Sequence, residues 1–142
     1  MLTSTLIITC DNLESRCCLS RPITDFFSNL LVVSGDAVYN NTHLYLAECD
    51  GKARGEWLRA LDKIEALHAR AVVAGHGVLD PDSSPGHIEE TRRYIRDFNL
   101  ADAGTATAMG LYEKMLALHP NRVNPGSLWA TAKTVKPSPT SG

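Results

Sequence analysis

Two short apolar runs, each stopped by a glycine turn that carries one polar side chain, constrain this chain more than anything else in it. Leu30-Leu31-Val32-Val33 stops at Ser34-Gly35-Asp36, and Ala71-Val72-Val73-Ala74 stops at Gly75-His76-Gly77. Runs this short and this uniformly apolar, bounded by turn residues, read as buried strands. Between them Trp57, Leu58, Leu61, Ile64 and Leu67 recur at spacings of three and four. Arg54, Glu56, Arg59, Asp62, Lys63 and Glu65 fall largely between these apolar positions, so 53–68 reads as an amphipathic helix. The expectation is an α/β chain in which each strand delivers a ligand-type residue at its C-terminal end, where α/β folds place their binding crevice.

The rest of the chain fits around that unit. Thr3 to Thr9 is rich in β-branched residues and reads as a strand, whereas Leu13 to Phe27 has no clear period. Ala37 to Leu46 opens on a candidate short strand, passes through Asn40-Asn41-Thr42 and returns to apolar residues, and as a whole reads as an irregular surface segment. Ser84-Pro85 suits the start of a helix over 87–100 whose inner face is Ile88, Thr91, Ile95 and Phe98. A further helix over 105–119 would bury Met109, Tyr112, Met115 and Leu116, and a short one is expected around 127–133. The expected organisation is an N-terminal strand and irregular segment (1–28), a main domain (29–134) and a disordered Pro- and Ser-rich tail (135–142).

With 142 residues, 44% of them hydrophobic, the chain suits one globular domain. A net charge of −2 without a basic run argues against nucleic acid as a partner. No apolar stretch approaches the ~20 residues of a membrane span, and Met1 to Thr9 lacks the parts of a signal peptide. The cysteines Cys10, Cys17, Cys18 and Cys49 form no Cys-x-x-Cys pair, so they are read as small buried side chains of a reduced, cytoplasmic protein.

The candidate chemistry rests on Asp36 and His76, a carboxylate and an imidazole of the kind that ligate zinc or move protons. His43, in Asn41-Thr42-His43, could project into the same crevice as a third ligand, base or substrate contact, against the simpler reading of a surface-loop histidine. Tyr39, Asn40 and Tyr45 flank that segment and are the expected substrate-binding residues. Trp57 and Trp129 are read as packing residues. His68 and His119 are read as structural, near helix C-termini where an imidazolium meets the helix dipole favourably. His87 is expected to be exposed, and Arg92 and Arg93 are read as a solvated helix face.

In order and separation, Gly35-Asp36-Ala37-Val38-Tyr39-Asn40, the Trp-bearing helix, Ala74-Gly75-His76-Gly77 and Asn121-Arg122-Val123-Asn124-Pro125-Gly126 resemble the C-terminal half of metallo-β-lactamase-fold hydrolases. The resemblance implies half of an αββα sandwich, with Asp36 as the metal-bridging aspartate and His76 as the last histidine ligand. It also implies a large departure. The family's His-x-His-x-Asp-His motif is missing, and no histidine precedes His43. A catalytic zinc takes at least three protein ligands. One chain is therefore expected to hold zinc weakly or not at all, and a second chain would have to complete the set.

Three functions follow as expectations. The first is a truncated or divergent hydrolase-like protein acting on an ester, lactone or thioester. The second is a metal-independent catalyst or binder of a small organic molecule that reuses the Asp36, His43 and His76 crevice. The third is a non-catalytic interaction protein. Half a sandwich would expose an apolar sheet face, so a homodimer or a partner chain is expected to cover it, unless the N-terminal segment folds back over it.

Overall fold

The computed structural model describes residues 5–7, 30–79 and 83–137. A strand β1 (Thr5–Ile7) is followed by β2 (Leu31–Val33), a 3-10 turn (Gly35–Ala37) and β3 (Tyr39–Asn40). Then come α1 (Gly51–Glu65), β4 (Ala71–Val73), β5 (His76–Gly77), α2 (Gly86–Ala103), α3 (Ala108–Leu118) and α4 (Pro125–Val135). β1, β2 and β4 form a parallel sheet in that order, and β3 and β5 form a second, two-stranded parallel sheet. The fold is α/β, as expected from the sequence.

Both apolar runs are strands, and they lie side by side, with Val32 opposite Val72 and each fully buried. A parallel pair needs a long crossover, and α1 supplies it. α1 begins at Gly51, two residues before the expected Ala53, because Asp50 caps it: its Oδ1 accepts from Ala53 N at 2.7 Å. The helix ends at Glu65, short of the expected end, and His68 beyond it is left-handed (φ 48°), so His68 is not in the last helical turn. Leu61 and Ile64 are buried and Trp57, Leu58 and Leu67 pack against the core, as the periodicity required. Arg54 departs from its expected place on the polar face. It is buried, and its guanidinium reaches Asn99 Oδ1 (2.6 Å), Cys49 O (2.8 Å) and Asp102 Oδ2 (3.1 Å).

α2 is the central helix. Ile88, Thr91, Ile95 and Phe98 are buried as expected, joined by Tyr94 and Ala101. Two expectations for its surface are corrected. Arg92 is buried, held by Glu89, Asp62 (3.1 Å) and Glu65 (2.7 Å), so it ties α2 to α1, while Arg93 is exposed as expected. His87 is buried too, with Nδ1 3.2 Å from Glu90 Oε2. In α3, Met115 is buried but Met109 is half exposed, and Leu111 takes the expected core place. α4 is longer than expected on both sides, from Pro125 at its first turn to Val135. Lys136, assigned to the tail, is anchored by Nζ to Asp102 Oδ1 and O, both at 2.9 Å; residues 138–142 lie outside the described residues.

The expectation of an irregular surface segment over 37–46 is half corrected. Beyond β3 it is irregular, but Ala37 to Asn40, Thr42, His43, Leu44 and Leu46 are buried. Side chains from α2 and α4 bond its backbone: Thr91 Oγ1 accepts from Tyr39 N at 3.0 Å, and Thr131 Oγ1 from Leu46 N at 2.9 Å. A buried loop is tolerable only with such partners. Cys49 is half-buried, and the other three cysteines lie outside the described residues. Among the described residues no helix is long and apolar enough to cross a membrane.

Candidate functional site

Two glycine contacts assemble the site. Ser34, buried at the end of β2, donates through N (3.0 Å) and Oγ (2.8 Å) to Val73 O, which locks the two strand ends together. The chain then turns through Gly35 (φ 49°) into the 3-10 turn. Gly75 N donates to Gly35 O (3.0 Å) and Val38 O (3.1 Å), so the backbones of the two turns touch. A Cβ on Gly75 would stand 2.3 Å from Gly35 O, and one on Gly77 (φ 142°) 1.9 Å from Asn40 O, so both positions require glycine. These glycines do more than permit a turn. They let β5 close on β3 with His76 paired opposite Tyr39.

The consequence is a side-chain pair. His76 Nε2 lies 2.7 Å from Asp36 Oδ1, and the imidazole stacks on the Tyr39 ring (centroids 5.0 Å apart, 28° between planes). Both partners are accessible, His76 with 53% and Asp36 with 72% of the side chain exposed. A carboxylate is acceptor-only, so Nε2 carries the proton in this contact and Nδ1 is the basic nitrogen. Sequence reasoning placed Asp36 and His76 together, and the structure brings them together.

Asp36 lines an open cleft of about 630 Å³ whose aromatic residues are Tyr39, Tyr45 and Trp57. Tyr39 and Tyr45 therefore sit where the sequence suggested. Trp57, read as a packing residue, packs against the core, and it also lines the cleft and donates from Nε1 to Ala37 O at 2.8 Å. The helical pattern could not separate these roles, because one edge of a core-spaced tryptophan can still face outward. Trp129 packs against Tyr112, as expected (5.2 Å). Asn40 is outside this cleft. It lines a smaller pocket of about 220 Å³ on the His76 side and is spent on Val78 O (Nδ2, 2.7 Å). The Asp36–His76 pair thus spans two cavities.

His43 is corrected on both readings. It is neither a surface-loop residue nor part of the Asp36–His76 crevice, but 1% exposed, and it lines neither cavity. Its Nδ1 is 3.0 Å from Tyr94 Oη, and the rings meet edge to face. Burial, with help from the Arg122 and His119 charges, holds its pKa down at about 4, so it is neutral at ordinary pH. Tyr94 is closed in by the Arg122 guanidinium over its ring (4.9 Å) and by His119 (4.9 Å). His119 is structural, at the end of α3, but the expected favourable charge is opposed. Burial and Arg122 lower its pKa, against the pull of Asp97, whose Oδ2 is 3.0 Å from Nε2.

Among the described residues this constellation does not amount to a zinc site. Asp36 and His76 offer two donors where a catalytic zinc takes three or more, and His43 is turned away. Among the described residues no group of three or more His, Cys, Asp or Glu side chains is gathered to hold a metal ion. Comparison of the chain with known protein families, with curated proteins and with solved structures gave no match.

Proposed function

We propose that the chain is a divergent half of a metallo-β-lactamase-like sandwich that hydrolyses a small ester, lactone or thioester through the Asp36–His76 pair, without a metal of its own. The observation that carries this is the 2.7 Å contact between two accessible side chains, built on glycines that tolerate no substitution. The order of the Gly-Asp and Gly-His motifs supports the ancestry. Among the described residues no third ligand is gathered beside them, and proton transfer needs only the two side chains that are in contact.

The chemistry is that of an oriented base. Asp36 accepts from Nε2–H and fixes the tautomer, which leaves Nδ1 to take a proton from water as the water oxygen adds to the carbonyl carbon. The imidazolium so formed is stabilised by the adjacent carboxylate. When the bond from carbon to the leaving oxygen or sulfur breaks, the same proton passes to the leaving group, and the imidazole is neutral again.

The test is release of 4-nitrophenol from 4-nitrophenyl acetate by purified protein in the presence of a chelator. His76→Gln and Asp36→Asn should each lower kcat by about 10²- to 10⁴-fold, the usual contribution of a positioned general base. Turnover unaffected by both changes would overturn the reading. Turnover that vanishes with chelator and returns with zinc would instead assign the chemistry to a metal whose ligand set a second polypeptide completes.

A further inference from the structure

The aromatic groups beside the reactive pair form a continuous run into the cleft. His76 stacks on Tyr39, and Tyr39 meets Trp57 at 5.9 Å between centroids and 54° between planes. Trp57 cannot swing freely, because Nε1 is fixed on Ala37 O while the ring stays half-buried on the cleft wall. Ala60, one turn further along α1, adds no side-chain bulk and leaves room beside it. A body bound here would lie along fixed ring faces and edges, which suits a flat π-system with offset or tilted packing.

The charges on the wall set the other requirement. Asp36, Glu48 and Glu56 face Arg59 and Lys63, and Arg59 Nη2 already lies 3.9 Å from Glu56 Oε1. Carboxylates outnumber cations, and one of them, Asp36, stands at the reacting end. An anionic ligand would meet repulsion where it must approach closest.

We infer that the cleft binds an uncharged, flat aromatic group of the substrate, and that Trp57 is the residue that selects it. This rests on the proposal that the Asp36–His76 pair performs the hydrolysis, but its binding test does not. Trp57 and Trp129 are the two tryptophans of the chain, so Trp129→Phe leaves Trp57 as sole reporter. Titrated with uncharged 4-nitroanisole, that protein should show saturable quenching of Trp57 emission. Equilibrium dialysis should give at least tenfold weaker binding of 4-nitrobenzoate, whose shape is similar and whose charge is negative. Trp57→Leu should weaken 4-nitroanisole about tenfold, and Trp57→Phe should retain most of the affinity, which separates loss of the ring from loss of the fold. Tyr45→Ser, at an exposed position, gives a second measure, with an expected loss of about threefold. In turnover, Trp57→Leu should raise KM for 4-nitrophenyl acetate and leave kcat within about twofold. His76→Gln should still bind 4-nitroanisole, so failure of the catalytic reading would leave this binding intact. Absence of saturable quenching, or preference for 4-nitrobenzoate, would overturn the inference.

Discussion

His76 and His43 lie in similar polar turn sequences, yet the molecule treats them in opposite ways. His76 is delivered by backbone: two glycines let one turn rest on another, and the side chain is left in solvent against Asp36. His43 is delivered by packing: it is enclosed by Tyr94, with Arg122 and His119 beyond, and kept neutral. An accessible histidine with a carboxylate can exchange protons with a substrate. A buried one paired with a tyrosine hydroxyl contributes rigidity to the loop that carries Tyr39 and Tyr45.

If that contrast is right, the largest effect should come from the backbone frame. Gly77→Ala places a methyl 1.9 Å from Asn40 O at a φ of 142°, so strain and overlap together should cost about 3 kcal/mol or more, measured by urea denaturation. A loss below 1 kcal/mol would mean that the β3–β5 approach is not tight. The next effect concerns pH. His43 has a folded pKa near 4, below its ordinary 6.5, so the unfolded chain binds a proton first as pH falls. Its stabilising share is therefore complete above about pH 6.5 and is lost between 6.5 and 4. The shift bounds that loss at about 3 kcal/mol, and the lowered pKa of His119 acts with the same sign. Urea midpoints across this range should fall in the native protein and fall less in His43→Phe; an identical slope in both would remove His43 from the account.

Tyr94→Phe should cost about 1–3 kcal/mol, because it leaves His43 Nδ1 buried without its hydroxyl partner. The smallest effect completes the contrast. Asp36→Asn should change stability by no more than about 0.5 kcal/mol, since an exposed pair contributes little. A loss of 2 kcal/mol on that change would recast the accessible pair as a structural clamp.

The sequence made the frame of the molecule legible where burial is periodic. The apolar runs around Val32 and Val72 and the inner faces of α1 and α2 stand where their spacing put them, because each is decided by local pattern. The Asp36–His76 pairing was legible for a similar reason, since both residues follow strands of the same sheet. His43, His87, Arg54 and Arg92 were not. The partners of His43, Arg54 and Arg92 include residues 27 to 51 positions away, such as Tyr94 for His43, which no spacing within their own segments announces, whereas His87 meets Glu90 one turn along α2. Asn40 and Tyr39 part for a subtler reason: successive residues of a strand face opposite ways, so Asn40 lines the smaller pocket with His76 while Tyr39 lines the larger cleft.

The parallel register Leu31↔Ala71 through Val33↔Val73 means that β2 and β4 meet across a separation of 40 residues. Closing a flexible loop of that length costs roughly 3 kcal/mol of chain entropy beyond a constant, and nothing at the strand ends recovers it until the ladder is in place. Asp36 and His76 are 40 positions apart as well, so their contact belongs to the same late event as the ladder. During refolding, the contact between His76 and Asp36 would behave as a clock hand: it forms only when the long loop closes, and its appearance marks the arrival of the finished sheet.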